Sequence, residues 1–182
     1  DGPDSAATPA VLDILQARKA VATFFCVGAQ VQRYPELTRE ILARGHSIGN
    51  HSQNHRHHFS LMTPGQIGRE ISQAQHIIED VTGASPKYFR APAGLRNIFL
   101  DPALHRLGLK LASWTRRGFD TRVADPALVA RRLIHRLQSG DILLLHDHHA
   151  ARTVRGQPVI LEVLPTLLDA IESIGCRTVC LP

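Results

Sequence analysis

The sequence predicts an α/β fold with a parallel sheet, and two observations carry that prediction. Helical and extended segments alternate along nearly the whole chain. The extended runs are short, apolar and rich in β-branched and aromatic residues, as strands buried on both faces are. A third observation favours a barrel over an open doubly wound sheet. The residues that carry chemistry, His51 and His55, Arg90, Trp114 and Asp120, His146 and Asp147, each follow the end of a different predicted strand. In a parallel barrel those ends share one rim, where active sites gather.

Taken in order, TPAVLDILQARKA (8–20) reads as a helix with a Thr N-cap and Pro at the first helical position. VATFFCVG (21–28) is a buried strand ending in Gly. YPELTREILARGH (34–46) is a helix whose Gly45 suits the position just past its end, and SIGN (47–50) follows as a brief strand. TPGQIGREISQAQHIIEDVTG (63–83) repeats the Thr-Pro start and the Gly end. KYFRA is a strand, LDPALHRLGL a short helix and KLASWT another strand. DPALVARRLIHRLQSG is a helix, DILLLHD a strand and PVILEVLPTLLDAIESIG a helix, with GCRTVCLP as the final strand.

At 182 residues the chain is expected to be a single domain over 1–182, with a composition ordinary for a globular protein. No run approaches the roughly 18 apolar residues of a membrane span. No signal peptide is visible, but the chain opens abruptly at Asp1 and leaves room for one upstream. No glycine-rich phosphate fingerprint follows any strand, which argues against dinucleotide binding. The net charge of +5 is nearly all arginine, since lysine occurs only at positions 19, 87 and 110. That charge reads either as solvated helix faces or as attraction to an anionic partner, such as a phosphate-linked or acidic glycan. Nucleic acid is disfavoured, because no basic run is interleaved with aromatics. Cys176 and Cys180, four positions apart on one predicted strand, would lie about 13 Å apart, too far for a disulfide. Both, with Cys26, are expected to be buried thiols.

The segment SIGNHSQNHRHHFS (47–60) holds histidines at 51, 55, 57 and 58. His51 and His55 have a spacing that can aim two imidazoles at one ion from a helical turn. A carboxylate would complete the two-histidine, one-carboxylate set of hydrolytic metal sites, with positions left open for water and substrate. The candidate is Asp1, ahead of Gly2 and Pro3. His57 and His58 are expected to be peripheral, Asp147, His148 and His149 to be loop and cap residues, and His76, His105 and His135 to have no role.

Five segments occur in order, each at a strand end: DGP (1–3), HSQNH (51–55), RAPAG (90–94), SWTRRGFDT (113–121) and LLLHD (143–147). Together they resemble the five motifs of the NodB-homology polysaccharide deacetylases, carbohydrate esterase family 4. The resemblance spans essentially the whole chain. It implies a distorted (β/α) barrel that removes N-acetyl (sometimes O-acetyl) groups from glycans with one divalent metal ion, usually zinc. On that resemblance Asp1, His51 and His55 are metal ligands, and Arg90 orients the catalytic base. The backbone N–H near Ala93 helps stabilise the oxyanion, and Trp114 and Leu144 line the acetyl pocket. His146 is the general acid, tuned by Asp120. The implied partner is an N-acetylated glycan or glycoconjugate, and the implied place is periplasmic, extracellular or membrane-associated.

Amide hydrolysis asks for these residue types independently. A metal polarises the carbonyl and lowers the pKa of a bound water, a carboxylate removes the water's proton, and a histidine can protonate the departing nitrogen. An acid and a base sharing a site need separate tuning, which gives Arg90 and Asp120 their roles. The departures from the family pattern are Ala93, where an aromatic is common, and Thr121, where Trp usually follows the Asp; losing both bulky groups should widen the cleft or remove a stacking wall for the sugar. With aromatics at only 5%, a surface that grips a long polysaccharide by stacking is not expected. A short acceptor, or one sugar on a lipid or phosphate carrier, suits the sequence better. The family's base is the first Asp of an Asp-Asp pair, whose second Asp aligns with Asp1. The base and the strand carrying it are therefore expected just upstream, and the domain is read as N-terminally incomplete. Two alternatives stay open: a hydrolase of another C–N bond on the same fold, and an inactive carbohydrate-binding module.

Overall fold

The computed structural model describes residues 1–182. In chain order its elements begin with α1 (Thr8–Ala17), β1 (Thr23–Cys26), α2 (Gly28–Arg33), α3 (Pro35–Ala43), β2 (Ser47–Asn50) and α4 (Pro64–Thr82). They continue with β3 (Tyr88–Phe89), α5 (Leu100–Arg106), β4 (Lys110–Leu111), β5 (Arg116–Arg117), α6 (Pro126–Ile134), β6 (Leu143–Leu144) and α7 (Val159–Ser173). The chain divides into two compact units, Asp1–Pro3 with Thr23–Ser113, and Asp4–Ala22 with Trp114–Pro182.

In the first unit β1 to β4 form a parallel sheet in sequence order. The register pairs Cys26 with Asn50, Asn50 with Phe89, and Phe89 with Leu111. The core gathers Phe59, Met62, Phe89, Leu100 and Leu104 around Ile67 and Ile71 of α4. Full burial of each such side chain is worth about 1.5–3 kcal/mol, so this cluster fixes α4 against the sheet. The start of α4 is as its sequence predicts: Thr63 donates its backbone N–H to Gln66 Oε1, and Gly83 ends the helix at φ 69°.

In the second unit β5 and β6 pair in parallel, Arg116 with Leu143 and Arg117 with Leu144. Val129 and Leu133 of α6 pack with Val159, Val163 and Leu167 of α7. Arg116 ties this strand pair down: its guanidinium donates to Asp141 and to the carbonyls of His135 and Arg136. That bonding holds the Asp141 carboxyl below its ordinary value.

Several expectations are corrected. Residues 176–182 form no strand, and Cys176 and Cys180 are only half-buried free thiols, unlike buried Cys26. Its β-branched composition does not decide its structure; Thr178 Oγ1 accepts Val21 N at 2.9 Å, and the Cys180 thiol donates to Ala22 O. Thr8 does not cap α1. It is the first helical residue, and its hydroxyl donates to Asp147 Oδ2 at 2.6 Å. A separate helix, α2, precedes the one predicted over 34–46, and a further strand, β5, follows Trp114. The strands beyond β2 are shorter than their apolar runs suggest.

Candidate active site

Asp1, His51 and His55 converge. Each offers one ligand atom, and these atoms lie within 4.8 Å of one another. Asp1 is set beside β1 by backbone bonds, its own N to Phe25 O at 3.3 Å and Val27 N to Gly2 O at 3.0 Å. His51 leaves the end of β2, with its N–H on Cys26 O at 3.0 Å. His51 Nε2 stands 2.9 Å and His55 Nε2 3.5 Å from Asp1 Oδ1. The site is largely shielded: the Asp1 side chain is 10% exposed and that of His51 6%.

The chemistry of these donors fits a metal ion. Nδ1 of His51 lies 2.8 Å from the carbonyl oxygen of Arg90, an acceptor only, so Nδ1 carries a proton. In the neutral ring Nε2 then turns a lone pair toward the Asp1 carboxylate, and two acceptors face each other. A cation satisfies both, and a carbonyl behind a ligating imidazole is the usual way to fix its tautomer. Two histidines and one aspartate leave coordination positions open.

The loop carrying the histidines is held in a strained path. Ser52 and His55 have left-handed backbones, at φ 65° and 49°. Asn50 Oδ1 accepts Ser52 N, while its Nδ2 donates to Ile71 O and Gln75 Oε1 on α4. Ser52 Oγ accepts His55 N at 3.1 Å. Glu70 of α4 completes the brace: one oxygen accepts Asn54 N at 2.9 Å and the other accepts Asn54 Nδ2 at 2.6 Å. Gly28 is needed for close approach, since a Cβ there would lie 2.1 Å from Gln53 Oε1 and 3.0 Å from the Ala74 backbone.

Arg90, just past β3, lies with its guanidinium 4.0 Å over the Phe25 ring and donates to Ser113 O at 3.1 Å. Burial brings its pKa down to about 10, which leaves it charged at neutral pH. Ala93 sits exposed in a turn at φ 54°. The turn's own bonds, Gly94 N to Ala91 O and Leu95 N to Pro92 O, do not use the Ala93 N–H.

In the second unit Asp120 is 1% exposed and pairs with His146, whose side chain is 19% exposed. Nδ1 of His146 meets Asp120 Oδ1 at 2.9 Å, and its backbone N–H donates to Oδ2 at 2.7 Å. The other ring nitrogen is left for chemistry. Leu144 is buried and Trp114 half-buried. His57 and His58 are exposed, as are His76, His105 and His135. Asp147 serves Thr8, and burial beside His148 holds His149 below the usual histidine range.

Comparison with known proteins decides the family. Residues 1–112 match the polysaccharide deacetylase family. A peptidoglycan-N-acetylglucosamine deacetylase of Bacillus cereus is 33% identical over 171 residues, covering 92% of this chain and 78% of that protein. The chain belongs to the polysaccharide deacetylases. A chitooligosaccharide deacetylase of Azorhizobium caulinodans is 32% identical, covering 100% of this chain and 90% of its own. In three dimensions the deacetylase superposes on a family 4 carbohydrate esterase from Streptomyces lividans in complex with acetate. That match has a TM-score of 0.87 at 27% identity and covers 98% of this chain and 87% of the other. The α/β fold class expected from the sequence is therefore that of the family 4 esterases.

Sequence reasoning missed Asn54 and Glu70 of this deacetylase. A signal was present. Ile67, Ile71, Ala74 and Ile78 mark the buried stripe of α4, and Glu70 falls on that stripe while only 8% exposed. An acid on an apolar face needs a partner, and here the partner is the loop that carries His51 and His55.

Proposed function

We propose that this polysaccharide deacetylase is a metal-dependent hydrolase that removes the N-acetyl group from a sugar of a glycan or glycoconjugate and releases acetate. The convergence of Asp1, His51 and His55 carries the reading, because that donor set is the one the resemblance names for the metal. The residues fit zinc. When bound, the ion supplies a Lewis acid for the acetyl carbonyl and lowers the pKa of a water.

In this reading Asp1, His51 and His55 hold the ion, and the Arg90 carbonyl fixes the His51 tautomer. The Ala93 N–H donates to the oxygen that gains charge. The base that takes the water's proton is expected in the residue before Asp1, with the Arg90 guanidinium orienting it. His146, held by Asp120, delivers a proton to the sugar nitrogen as the C–N bond breaks. Trp114 and Leu144 bound the space for the acetyl methyl. Those roles follow the motif positions, and the chemistry asks for each of them.

The test is acetate release from N-acetylglucosamine oligomers by the protein with its upstream residues, with and without a chelator. Chelator-sensitive release restored by zinc supports the reading. Release of ammonia or another amine without acetate favours a different C–N bond. Glycan binding with no turnover in zinc favours an inactive binding module.

A further inference from the structure

We propose that the glycan carries an anionic group, a carboxylate or a phosphate, and that Arg117, stacked on Phe119 next to the Asp120–His146 pair, receives it. The proposal rests on the deacetylase reading for the glycan itself and adds its charge.

The two arginines of β5 have opposite fates, because successive strand residues face opposite sides. Arg116 is engaged at all three nitrogens, by Asp141 and by the carbonyls of His135 and Arg136. Arg117 has no carboxylate or carbonyl partner. Its guanidinium lies 3.8 Å over the Phe119 ring and 5.9 Å from that of Trp114, and these are its contacts. Arg132 approaches the same Phe119 ring at 5.4 Å and donates to Gly118 O at 3.3 Å. Phe119 is 40% exposed and sits at φ 63°, a left-handed backbone that aromatic residues rarely adopt. Strain of this kind persists where the surrounding structure holds it and clusters at ligand sites.

An ordinary exposed arginine samples many rotamers in water. Here the Phe119 ring holds the guanidinium 3.8 Å over its face, and the N–H donors have no carboxylate or carbonyl partner. That fork matches a carboxylate or phosphate with two parallel hydrogen bonds. Local charge favours the same ligand. From Trp114 to Arg136 the chain has arginines at 116, 117, 122, 131, 132 and 136, against aspartates at 120 and 125 alone. Asp120 is engaged by His146, and Asp125 caps α6 through Ala127 N and Leu128 N. Neither acid is placed to neutralise Arg117.

The position suits a substrate subsite. Arg117 pairs in register with Leu144, and His146 follows two residues later, about 7 Å along the strand direction. An anion on Arg117 would thus sit beside the proton donor without occupying it. Arginine here takes over recognition that the scarce aromatics do not supply.

The experiment compares three tetrasaccharides bound to chelator-treated protein, so that no turnover intervenes. One is an unmodified N-acetylglucosamine tetramer. The second alternates N-acetylglucosamine with N-acetylmuramic acid, which adds carboxylates, and the third carries a terminal phosphate. At least one anionic glycan should bind about tenfold more tightly than the neutral one, and its Kd should rise with salt. Arg117→Ala should bring the ratio to about one, while Arg117→Lys, which keeps the charge but not the fork, should retain part of it. Arg117→Gln repeats the test should the alanine variant not fold. Whichever anionic glycan gains identifies the source of the charge. Equal binding of all three, or a ratio unchanged in the variants, overturns the proposal. Acetate release by the zinc-loaded protein from the same glycans tests the deacetylase reading separately, since the binding ratio does not depend on turnover.

Discussion

Asp120 gives both carboxylate oxygens to one residue: Oδ1 meets the His146 ring at 2.9 Å and Oδ2 accepts the His146 backbone N–H at 2.7 Å. A carboxylate used in this way fixes the imidazole plane and keeps the proton on Nδ1. In the proposed mechanism Nε2 is then the nitrogen that exchanges a proton with substrate. The geometry is that of an oriented acid.

From it follows the first prediction. His146→Ala should lower kcat by about 10²–10⁴-fold, the scale of one general acid, with zinc content unchanged. Metal analysis and steady-state kinetics on the same preparation check both halves. Loss of the metal along with activity would assign His146 to the wrong role.

The second prediction concerns the ion. The protein should bind one zinc, with His51 Nε2, His55 Nε2 and an Asp1 oxygen each at about 2.0–2.2 Å. A zinc-soaked crystal structure measures those distances, and alanine at any of the three positions should remove the ion at micromolar zinc. An ion bound elsewhere, with these side chains turned away, would sink the assignment.

How far the sequence foretells this arrangement differs by residue. The positions of His51, Arg90 and His146 are legible because each follows a strand, even where the strand is only two residues long, as β3 before Arg90 and β6 before His146 are. Chain direction at a strand end is enough to place a side chain. The second strand of the unit with His146 is not legible: Arg116 and Arg117 are charged, and their strand exists because Arg116 finds Asp141 and Arg117 pairs with Leu144. Tertiary pairing outweighs propensity there. Residues 176–182 are the reverse, β-branched residues in a run that forms no strand. The loop brace is half legible: Glu70 stands on the apolar stripe of α4, but nothing local names Asn54 as its partner.

A third prediction uses His46. Burial, and then the nearby Arg44, hold this histidine below its usual value, beside the Phe24 ring at 5.3 Å. The folded protein therefore keeps it neutral where the unfolded chain, titrating at about 6.5, takes a proton. Stability from this group is present above about pH 6.5 and is lost as pH falls from there toward the folded value. Thermal unfolding at pH 7.5 and 5.5, in chelator to remove any metal contribution, should show a larger fall in Tm for the wild type than for His46→Gln. Equal falls would show that His46 does not carry the effect.

The last prediction isolates Glu70. Its two oxygens accept the Asn54 backbone N–H and side-chain Nδ2, so it braces the path between His51 and His55 through the strained Ser52 and His55 backbones. Glu70→Gln keeps the size but sets an NH2 group against Asn54 Nδ2, donor against donor. Zinc affinity, read by competition with a chromogenic chelator, should weaken about 10–100-fold, as it does when groups supporting metal ligands are removed. Asn54→Asp added to that variant turns the clash into an acceptor facing a donor, and most of the affinity should return. A merely structural role for Glu70 would show as a lower Tm of the metal-free protein with zinc affinity unmoved, and the second substitution would rescue nothing. The double variant is therefore the decisive measurement, because only a brace that acts on the ligands is restored by exchanging which side donates.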